Sequence, residues 1–588
     1  MTARLDVIIS ADPSPSGEPV VRHPLGTRAR VLLSSVFGPY AQDDEFGSRK
    51  INPMELWHNQ VTRVQGPFSV RMFHRSWGLM LMQANMEAPC TCLDFPTLDR
   101  FIAELKENSY DIIGLSGIVA NSGKIQKMCA LVRQYQPQAT LVVGGHVAGI
   151  PDLGERIDAD HIVRGDGVRW FRRFLGEDEN RPMKHPLVHS GIGGRVMGFD
   201  FPNGKKFGSA ALIPSVGCPM GCNFCCTSAL FGGKGNSVSF WESGDELFSI
   251  MSTMEKEMGV QAFFVMDENF LLHRSRALRL LELMRQHDKA WALYVFSSAN
   301  ALRQYTADEL VELGLSWLWI GLEGKNSQYN KTAGVDTHKL VRELQEQGTR
   351  VLGSTIIGLE AHTPENIDDA IAHAVSHETD FHQFMLYMPM AGTPLWHEMT
   401  DKGVMLDADE MPEADMHGQH KFNYRHPGIP AGKETDLLLR AFHEDFRANG
   451  PSVLRMVRTA LRGYKKHKNH PDSRVRRRFK WEVQGFGTAY AGALWAAKRW
   501  FADNKPLVAK LDAVLREIHA EFGIFSRLVT PILGRVVLRA LRREQKRIDS
   551  GKTFEPPTFY ESNFDPPVNA RHDLRKQKWT ATTSNTSN

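Results

Sequence analysis

Cys218-Pro-Met-Gly-Cys-Asn-Phe-Cys225 is the stretch on which the reading of this chain turns. Its thiols follow the spacing CxxxCxxC, and thiolates so placed can hold three corners of a four-iron four-sulfur cube. The fourth iron is then open to bind and reduce a small molecule, whereas a cluster held by four cysteines mainly passes electrons. A structural zinc site asks for four closed ligands, usually as two separated pairs, and no second Cys or His pair of that spacing follows. Cys226, directly after the third thiol, reads as a spare thiol turned away from the cube, although it lies near enough to compete for the same iron. Cys90, Cys92 and Cys129 sit among apolar residues and read as buried thiols without a role.

Downstream of the cysteines, apolar runs alternate with helical patterns. Gln261 to Met266 precedes the helix Ser275 to His287, Ala292 to Phe296 precedes Ala307 to Gly314, and Trp317 to Leu322 precedes His338 to Gln347. Arg350 to Gly358 then precedes Thr363 to His377, for which Thr363 is a candidate N-cap with Pro in the first turn, and Phe381 to Met388 closes the series. With the apolar run Ala211 to Gly217, this predicts six strand and helix units in a parallel sheet curling into an open barrel. Upstream, Arg30 to Val36, Cys92 to Phe95, Asp111 to Gly117, Thr140 to Gly145 and His161 to Gly165 read as strands, with helices such as Leu98 to Glu107 and Ser122 to Tyr135 between them. That pattern predicts a doubly wound sheet.

The cysteine loop, the strand before it and the aromatic Phe224 ahead of the third thiol resemble the radical S-adenosylmethionine superfamily. In that family the open iron chelates the amino and carboxylate groups of S-adenosylmethionine, and one electron breaks its carbon–sulfur bond to give a 5'-deoxyadenosyl radical. The resemblance implies roles for residues at the carboxyl ends of the strands. The acidic run Asp267-Glu268-Asn269 stands where the family contacts the amino group, and Glu323 matches the acid that bonds the ribose hydroxyls. Gly353 to Gly358, with Ile356, matches the segment along the adenine, and Ser298 is a further candidate. Taken singly, an acid at a strand end is more often a helix cap or a surface charge. Pro389-Met-Ala-Gly-Thr-Pro394 resembles the P-x-x-G-T-P turn that closes many such barrels. No catalytic side chain is assigned, and Phe231 to Ser237 lacks the spacing of a phosphate loop.

Leu141-Val-Val-Gly-Gly-His146 and Val163-Arg-Gly-Asp-Gly167, lying upstream of the cysteines, resemble the cobalamin-binding domain of class B radical S-adenosylmethionine enzymes. This implies corrinoid contacts from Gly144, Gly145, His146 and Gly165. The D-x-H-x-x-G run of other cobalamin proteins is missing, so no His below the cobalt is expected, and His146 reads as a contact to the edge of the corrin. A corrinoid-free domain kept as scaffolding stays open.

At 588 residues the chain is long enough for about three domains. The expected class is α/β: a disordered arm over 1–26, a Rossmann-like cobalamin-binding sheet over 27–178, a linker over 179–207 and a partial (β/α)6 radical S-adenosylmethionine barrel over 208–400. A mostly helical, basic region over 401–550 and an extended or disordered tail over 551–588 follow. Formal net charge is only +4, yet Arg455 to Lys480 is dense in Lys and Arg. Such asymmetry suggests an anionic partner, with a solvated helix face as the plain alternative. Ala489 to Phe501 and Phe522 to Leu541 are too interrupted by charge to span a bilayer, but each could lie on one or pack inward. His417, His420 and His426 form a loose cluster whose spacing fits no metal-ligand pattern. No secretory signal is read, and an odd count of seven cysteines argues against a disulfide framework.

These observations predict a cytoplasmic, oxygen-sensitive enzyme, with peripheral contact at the inner face of the membrane through the C-terminal basic region. Its cofactors would be a 4Fe-4S cluster, S-adenosylmethionine and cobalamin, with an external electron donor such as flavodoxin or ferredoxin. The resemblance implies methylation, or another modification, of an unactivated carbon on a small-molecule or lipid substrate. The alternatives are a nucleic-acid-modifying protein, which no recognition motif supports, a cobalamin-free enzyme forming or rearranging carbon–carbon bonds, and a non-catalytic cluster protein.

Overall fold

Two parallel sheets and a helical C-terminal region carry the chain. The computed structural model describes residues 8–11, 21–38, 45–47, 51–52, 55–191, 193–201, 208–323, 334–551 and 559–563. The first sheet has the order Ile8–Ala11, His161–Arg164, Thr140–Gly144, Ile112–Ser116, Val31–Ser35, Cys90–Asp94, Phe559–Ser562. All neighbours are parallel except the last pair, in which Phe559–Ser562 runs antiparallel to Cys90–Asp94. After the edge strand Ile8–Ala11, the chain enters the middle of the sheet at Val31–Ser35, steps to Cys90–Asp94, then reverses through Ile112–Ser116 toward the edge that holds Ile8–Ala11. That reversal makes the sheet doubly wound, with its ligand crevice at the carboxyl ends of the central strands. Leu32, Ile113, Leu141 and Val143 face the helices Leu98–Glu107 and Ser122–Tyr135, while Val31, Leu33, Ile112 and Val142 face Trp170, Phe171 and Phe174 of Gly167–Phe174. Covering both faces explains why these strands are near-continuous apolar runs.

The second sheet follows chain order without reversal: Ser209–Leu212, Ala262–Val265, Ala292–Ser297, Leu315–Gly321, Arg350–Ile357, Phe381–Leu386, every pair parallel. One face is held by Phe263, Val265, Leu293, Val295, Leu318 and Ile320, packed with the helices Gly244–Met258, Arg274–Gln286 and Ala307–Leu313. Alternate residues turn the other way. On that side Phe264 and Phe296 lie 5.7 Å apart between ring centroids, and Phe296 stacks on Trp319 at 5.0 Å. A segment of the long connection between Val31–Ser35 and Cys90–Asp94 crosses this aromatic surface. Its His74 stacks on Phe264, and its Trp57 meets both Trp319 and Phe381.

Two local expectations need correction. The apolar run Ala211 to Gly217 is not one strand: the parallel ladder ends at Leu212, and Ser215–Val216 pairs antiparallel with Val238–Ser239. Pro214 lies at the break, where it has no N–H to continue a ladder. The helix expected from Thr363 begins only at Ile367: Asn366 Oδ1 accepts the Thr363 N–H in a turn, and the Thr363 carbonyl receives the Asn366 and Ile367 N–H groups.

The basic run is also rewritten by packing. It forms the helices Ser452–His467 and Ser473–Glu482, and its central arginines are buried in ion pairs. Arg455 meets Asp445 at 2.6 Å, Arg474 meets Asp472 at 2.5 Å, and Arg478 donates to the Val311 carbonyl at 2.7 Å. Lys465 and Lys468 pair with Glu517 and Glu521. Much of this charge therefore joins elements of the protein to each other. In the helix Ala491–Trp500, Trp495 packs against Gly534, while Trp500 and Phe501 close on Phe68. The final helix, Lys505–Asp549, is broken at Gly523, where φ 75° and ψ −164° interrupt the hydrogen-bond ladder. Among the described residues, no helix is long and apolar enough to cross a membrane.

Candidate active site

The cysteine loop is shaped by short-range hydrogen bonds. The Gly221 N–H donates to the Cys218 carbonyl and the Cys225 N–H to the Cys222 carbonyl, so the thiol-bearing residues follow one another through two tight turns. Ser228 Oγ donates to the Cys218 carbonyl at 2.8 Å, tying the start of the loop to the helix Cys226–Leu230 that follows it. None of the cysteines is cross-linked, and Cys222 and Cys225 are half-buried while Cys218 is buried. Three thiols on one compact loop form a donor set that fits an iron–sulfur cluster. Burial is the main cause that pushes the Cys226 thiol up to about 11, with the neighbouring Cys225 adding to it.

The acidic run divides its work. Asp267 is buried and fully engaged: Arg276 pairs with its Oδ2, Ser215 Oγ donates to the same oxygen at 2.7 Å, and the Asn269 N–H donates to Oδ1. Asn269 Oδ1 in turn accepts from Ser297 Oγ and the Ser298 N–H, and its amide donates to Ser298 Oγ at 3.2 Å. Glu268 differs from both. Its Oε2 is buried without a hydrogen-bond partner among the described residues, and burial is the main cause that pushes its carboxyl up to about 7. The backbone of Gly217, directly before Cys218, offsets part of that rise. An orphaned carboxylate oxygen at the entrance to the cysteine loop fits a bound ammonium group. Glu323, 6% exposed, folds its carboxylate back over Gly321, and Ile356 is half-buried in the cluster that also receives Phe224.

The glycine loop of the first sheet arrives at the same place. Gly145 has φ 81°, and a Cβ there would stand 2.7 Å from both the Gly117 carbonyl oxygen and Ser116 Oγ, so only glycine fits this turn. The turn delivers His146 across the boundary between the sheets, where its Nε2 lies 3.0 Å from Thr227 Oγ1, two residues past Cys225. Burial lowers the His146 pKa and keeps the imidazole neutral. Gly165 precedes Asp166, which caps Gly167–Phe174, and Arg164 reaches back to the Ala148 carbonyl at 2.6 Å. The Pro389 to Pro394 turn touches both loops: the Leu395 N–H donates to the Asn223 carbonyl between the second and third cysteines, and Gly392 abuts Gly149.

Sequence reasoning missed Thr227, Asn223 and Gly149, because nothing local marks a residue that meets its partner across a domain boundary. The histidines outside this site have other tasks. His426 Nε2 lies 3.1 Å from the Gly358 and Leu359 carbonyls, His420 bonds Thr435, and the Gln419 N–H donates to His417 Nδ1. His338, His373 and His377 cluster on outer elements, but His338 and His377 are stacked rings 3.7 Å apart. His377 is bonded at both nitrogens, to Thr337 and to the His373 carbonyl. The trio is thus held as a stacked, hydrogen-bonded group in which both His377 nitrogens are already engaged.

A three-cysteine loop on a singly wound parallel sheet thus meets the glycine loop of a doubly wound sheet in one α/β protein. Residues 212–374 match the Radical SAM superfamily, and residues 78–175 match the B12 binding domain. The chain thus carries a B12 binding domain ahead of a Radical SAM domain. It is 24% identical to an uncharacterized methyltransferase of Pyrococcus horikoshii over 51% of this chain and 72% of that protein. To the bacteriochlorophyllide d C-8(2)-methyltransferase of Chlorobaculum tepidum it is 23% identical over 57% of this chain and 76% of the relative. The hopanoid C-2 methylase of Rhodopseudomonas palustris is 21% identical, with 51% of this chain and 59% of that protein covered.

Proposed function

We propose that the protein is a cobalamin-dependent radical S-adenosylmethionine methyltransferase acting on an unactivated carbon of a largely apolar small molecule or lipid. The observation that carries the reading is the 3.0 Å contact between His146 and Thr227, which ties the glycine loop of the B12-type domain to the helix leaving the cysteine loop. Two cofactors held on loops in direct contact can act on one substrate.

Cys218, Cys222 and Cys225 would hold the cluster, while Gly144, Gly145, His146 and Gly165 would line the corrinoid. Bound there, a four-iron four-sulfur cluster supplies an electron for cleaving S-adenosylmethionine, and a corrinoid supplies a transferable methyl group. Glu268, when ionised, accepts the ammonium of S-adenosylmethionine. Asn269 and Ser298 brace the strand ends beside it, and Asp267 positions that loop through Arg276 and Ser215. Glu323 bonds the ribose hydroxyls and Ile356 packs on the adenine. The Phe264, Phe296 and Trp319 surface, covered by His74 and Trp57, keeps this side of the sheet apolar and excludes water. Bacteriochlorophyllides and hopanoids, the molecules after which two relatives are named, are largely apolar and ring-bearing, which supports that substrate class. Electrons come from an external donor such as flavodoxin or ferredoxin. Peripheral contact with the membrane is part of the proposal, through residues other than the ion-paired run Arg455 to Lys480.

The test is anaerobic purification with hydroxocobalamin supplied, followed by addition of reductant, S-adenosylmethionine and candidate apolar substrates. A corrinoid absorption band, a methylated product and S-adenosylhomocysteine are expected. Absence of a corrinoid band, or 5'-deoxyadenosine without any methylated product, would overturn the methyltransferase reading.

A further inference from the structure

The helix beyond Gly523 presents two contrasting faces. Ser526, Thr530, Gly534, Val537, Leu541 and Glu544 are buried against the rest of the C-terminal region. The opposite face carries Ile524, Phe525, Leu528, Ile532 and Val536, exposed by 76%, 64%, 65%, 60% and 49%. Four of these recur at intervals of four residues, giving an apolar stripe about 18 Å long at 1.5 Å per residue. Isolated exposed apolar side chains are ordinary, whereas a continuous row on one helix face marks an interaction surface.

The charges around the stripe identify what it meets. Arg527, Arg535, Arg539, Arg542, Arg543 and Lys546 are all exposed, and they flank the apolar row or continue it toward the C-terminus. From Ile524 to Ile548 the only acid is Glu544, which is buried in ion pairs with Arg195 and Arg547. Arg499 stacks on Trp495, and Arg535 lies 5.9 Å from the same ring, which extends the basic border. The hairpin Gly193–Val196 and Phe199–Phe201 packs its Gly198 turn on Ala540 and adds the exposed rings of Phe199 and Phe201.

We infer that the helix face from Ile524 to Val536 docks on an anionic lipid bilayer, with the apolar row entering the acyl boundary and the arginines meeting headgroup phosphates. Aliphatic and aromatic residues on one helix face, bordered along that helix by cations, are what interfacial binding requires, and the exposed Asp200 of the neighbouring hairpin is paired with Arg195. A second copy of this chain fits poorly, because the same arginines would be pressed on each other or on the apolar row without an acid to pair with. The inference rests on the proposed membrane-soluble substrate for its purpose, since docking would bring the substrate's own phase to the enzyme. It rests on the surface for its existence.

The test is co-sedimentation of the full-length protein with vesicles of phosphatidylcholine alone, or of phosphatidylcholine and phosphatidylglycerol in equal parts. We expect binding at least about tenfold tighter on the anionic vesicles, weakened by salt. Leu528→Glu with Ile532→Glu should reduce it by at least about tenfold while leaving the circular dichroism melt unchanged, since both positions are exposed. No binding to anionic vesicles at low salt would overturn the inference. So would full binding by the double variant, or a dimer in analytical ultracentrifugation that Leu528→Glu dissolves. The assay contains neither reductant nor S-adenosylmethionine, so its failure leaves the proposed methyl transfer standing, and failed turnover leaves docking standing.

Discussion

Gly392, in the turn after the last strand of the cysteine-bearing sheet, lies directly on Gly149 of the other domain, so close that a Cβ at Gly392 would collide with the Gly149 carbonyl. The same turn holds the cysteine loop through Leu395 and Asn223. One short segment thus fixes the spacing between the proposed cluster loop and the proposed corrinoid loop. Both the contact and a φ of 79° require glycine at position 392.

Gly392→Ala should push the two loops apart. The backbone conformation alone costs about 1 kcal/mol, and the collision adds to it. The expected outcome is a lower melting temperature and at least about a tenfold loss of methylated product, with iron and corrinoid contents near the wild-type ratio, because reacting groups lose alignment before their sites are lost. Metal analysis, absorbance and product assay on the same preparation check this.

Removing the cross-domain hydrogen bond is a milder change. Thr227→Val keeps the side-chain shape and deletes the oxygen facing His146 Nε2, at an expected cost of about 0.5–1.5 kcal/mol. His146→Phe should cost a similar amount, and the two together should be less than additive, as a double-mutant cycle would measure. Full additivity would mean the two side chains are not coupled.

The strands and the cysteine loop were legible because their signals are local: apolar runs of strand length, helix periodicity between them, and a spacing of thiols within eight residues. The contacts His146–Thr227 and Gly149–Gly392 were not, since each joins segments far apart in the chain. Sequence also exposed the charge of Arg455 to Lys480 but not its partners Asp445, Glu482, Glu517 and Glu521, so a largely internal network read as a surface for anions. Ile524 to Val536 shows the converse limit. Its apolar spacing resembles that of Leu507, Leu511, Leu515 and Ile518 in the same helix, which are buried, and only packing distinguishes the two. Which members of the acidic run are committed to internal bonds depends on Arg276 and Ser215, which the sequence does not place beside it.

That internal network predicts a separation of effects. Arg455→Met leaves Asp445 buried without its cation, which should destabilise the protein by about 3–5 kcal/mol. Vesicle binding per folded molecule should not change. Urea denaturation and co-sedimentation report the two quantities independently.

The thiols should also separate. Cys222→Ser is expected to abolish cluster assembly, seen as loss of iron and of the visible absorption of reconstituted protein. Cys226→Ser should retain full iron content, because the assigned donors are Cys218, Cys222 and Cys225. A cluster lost with Cys226→Ser and kept with Cys225→Ser would shift the assignment by one residue.

Glu268 sets a pH dependence whose sign follows from its burial. Its carboxyl rises from 4.5 to about 7 in the folded protein, so the native, ligand-free state holds a proton that the unfolded chain has released. The resulting stability is complete below the unfolded value and is lost as pH rises through about 7. Binding of the S-adenosylmethionine ammonium requires the ionised form, so affinity should increase from pH 6 to pH 8 and then level off, with proton release on binding at the lower pH. Glu268→Gln should flatten both profiles, raise stability at pH 8 and weaken binding there by about tenfold or more, the equivalent of one lost charged hydrogen bond. Anaerobic equilibrium dialysis without reductant, together with thermal melts across the same pH range, measures each of these. Wild-type affinity unchanged between pH 6 and pH 8 would remove Glu268 from the proposed ammonium site.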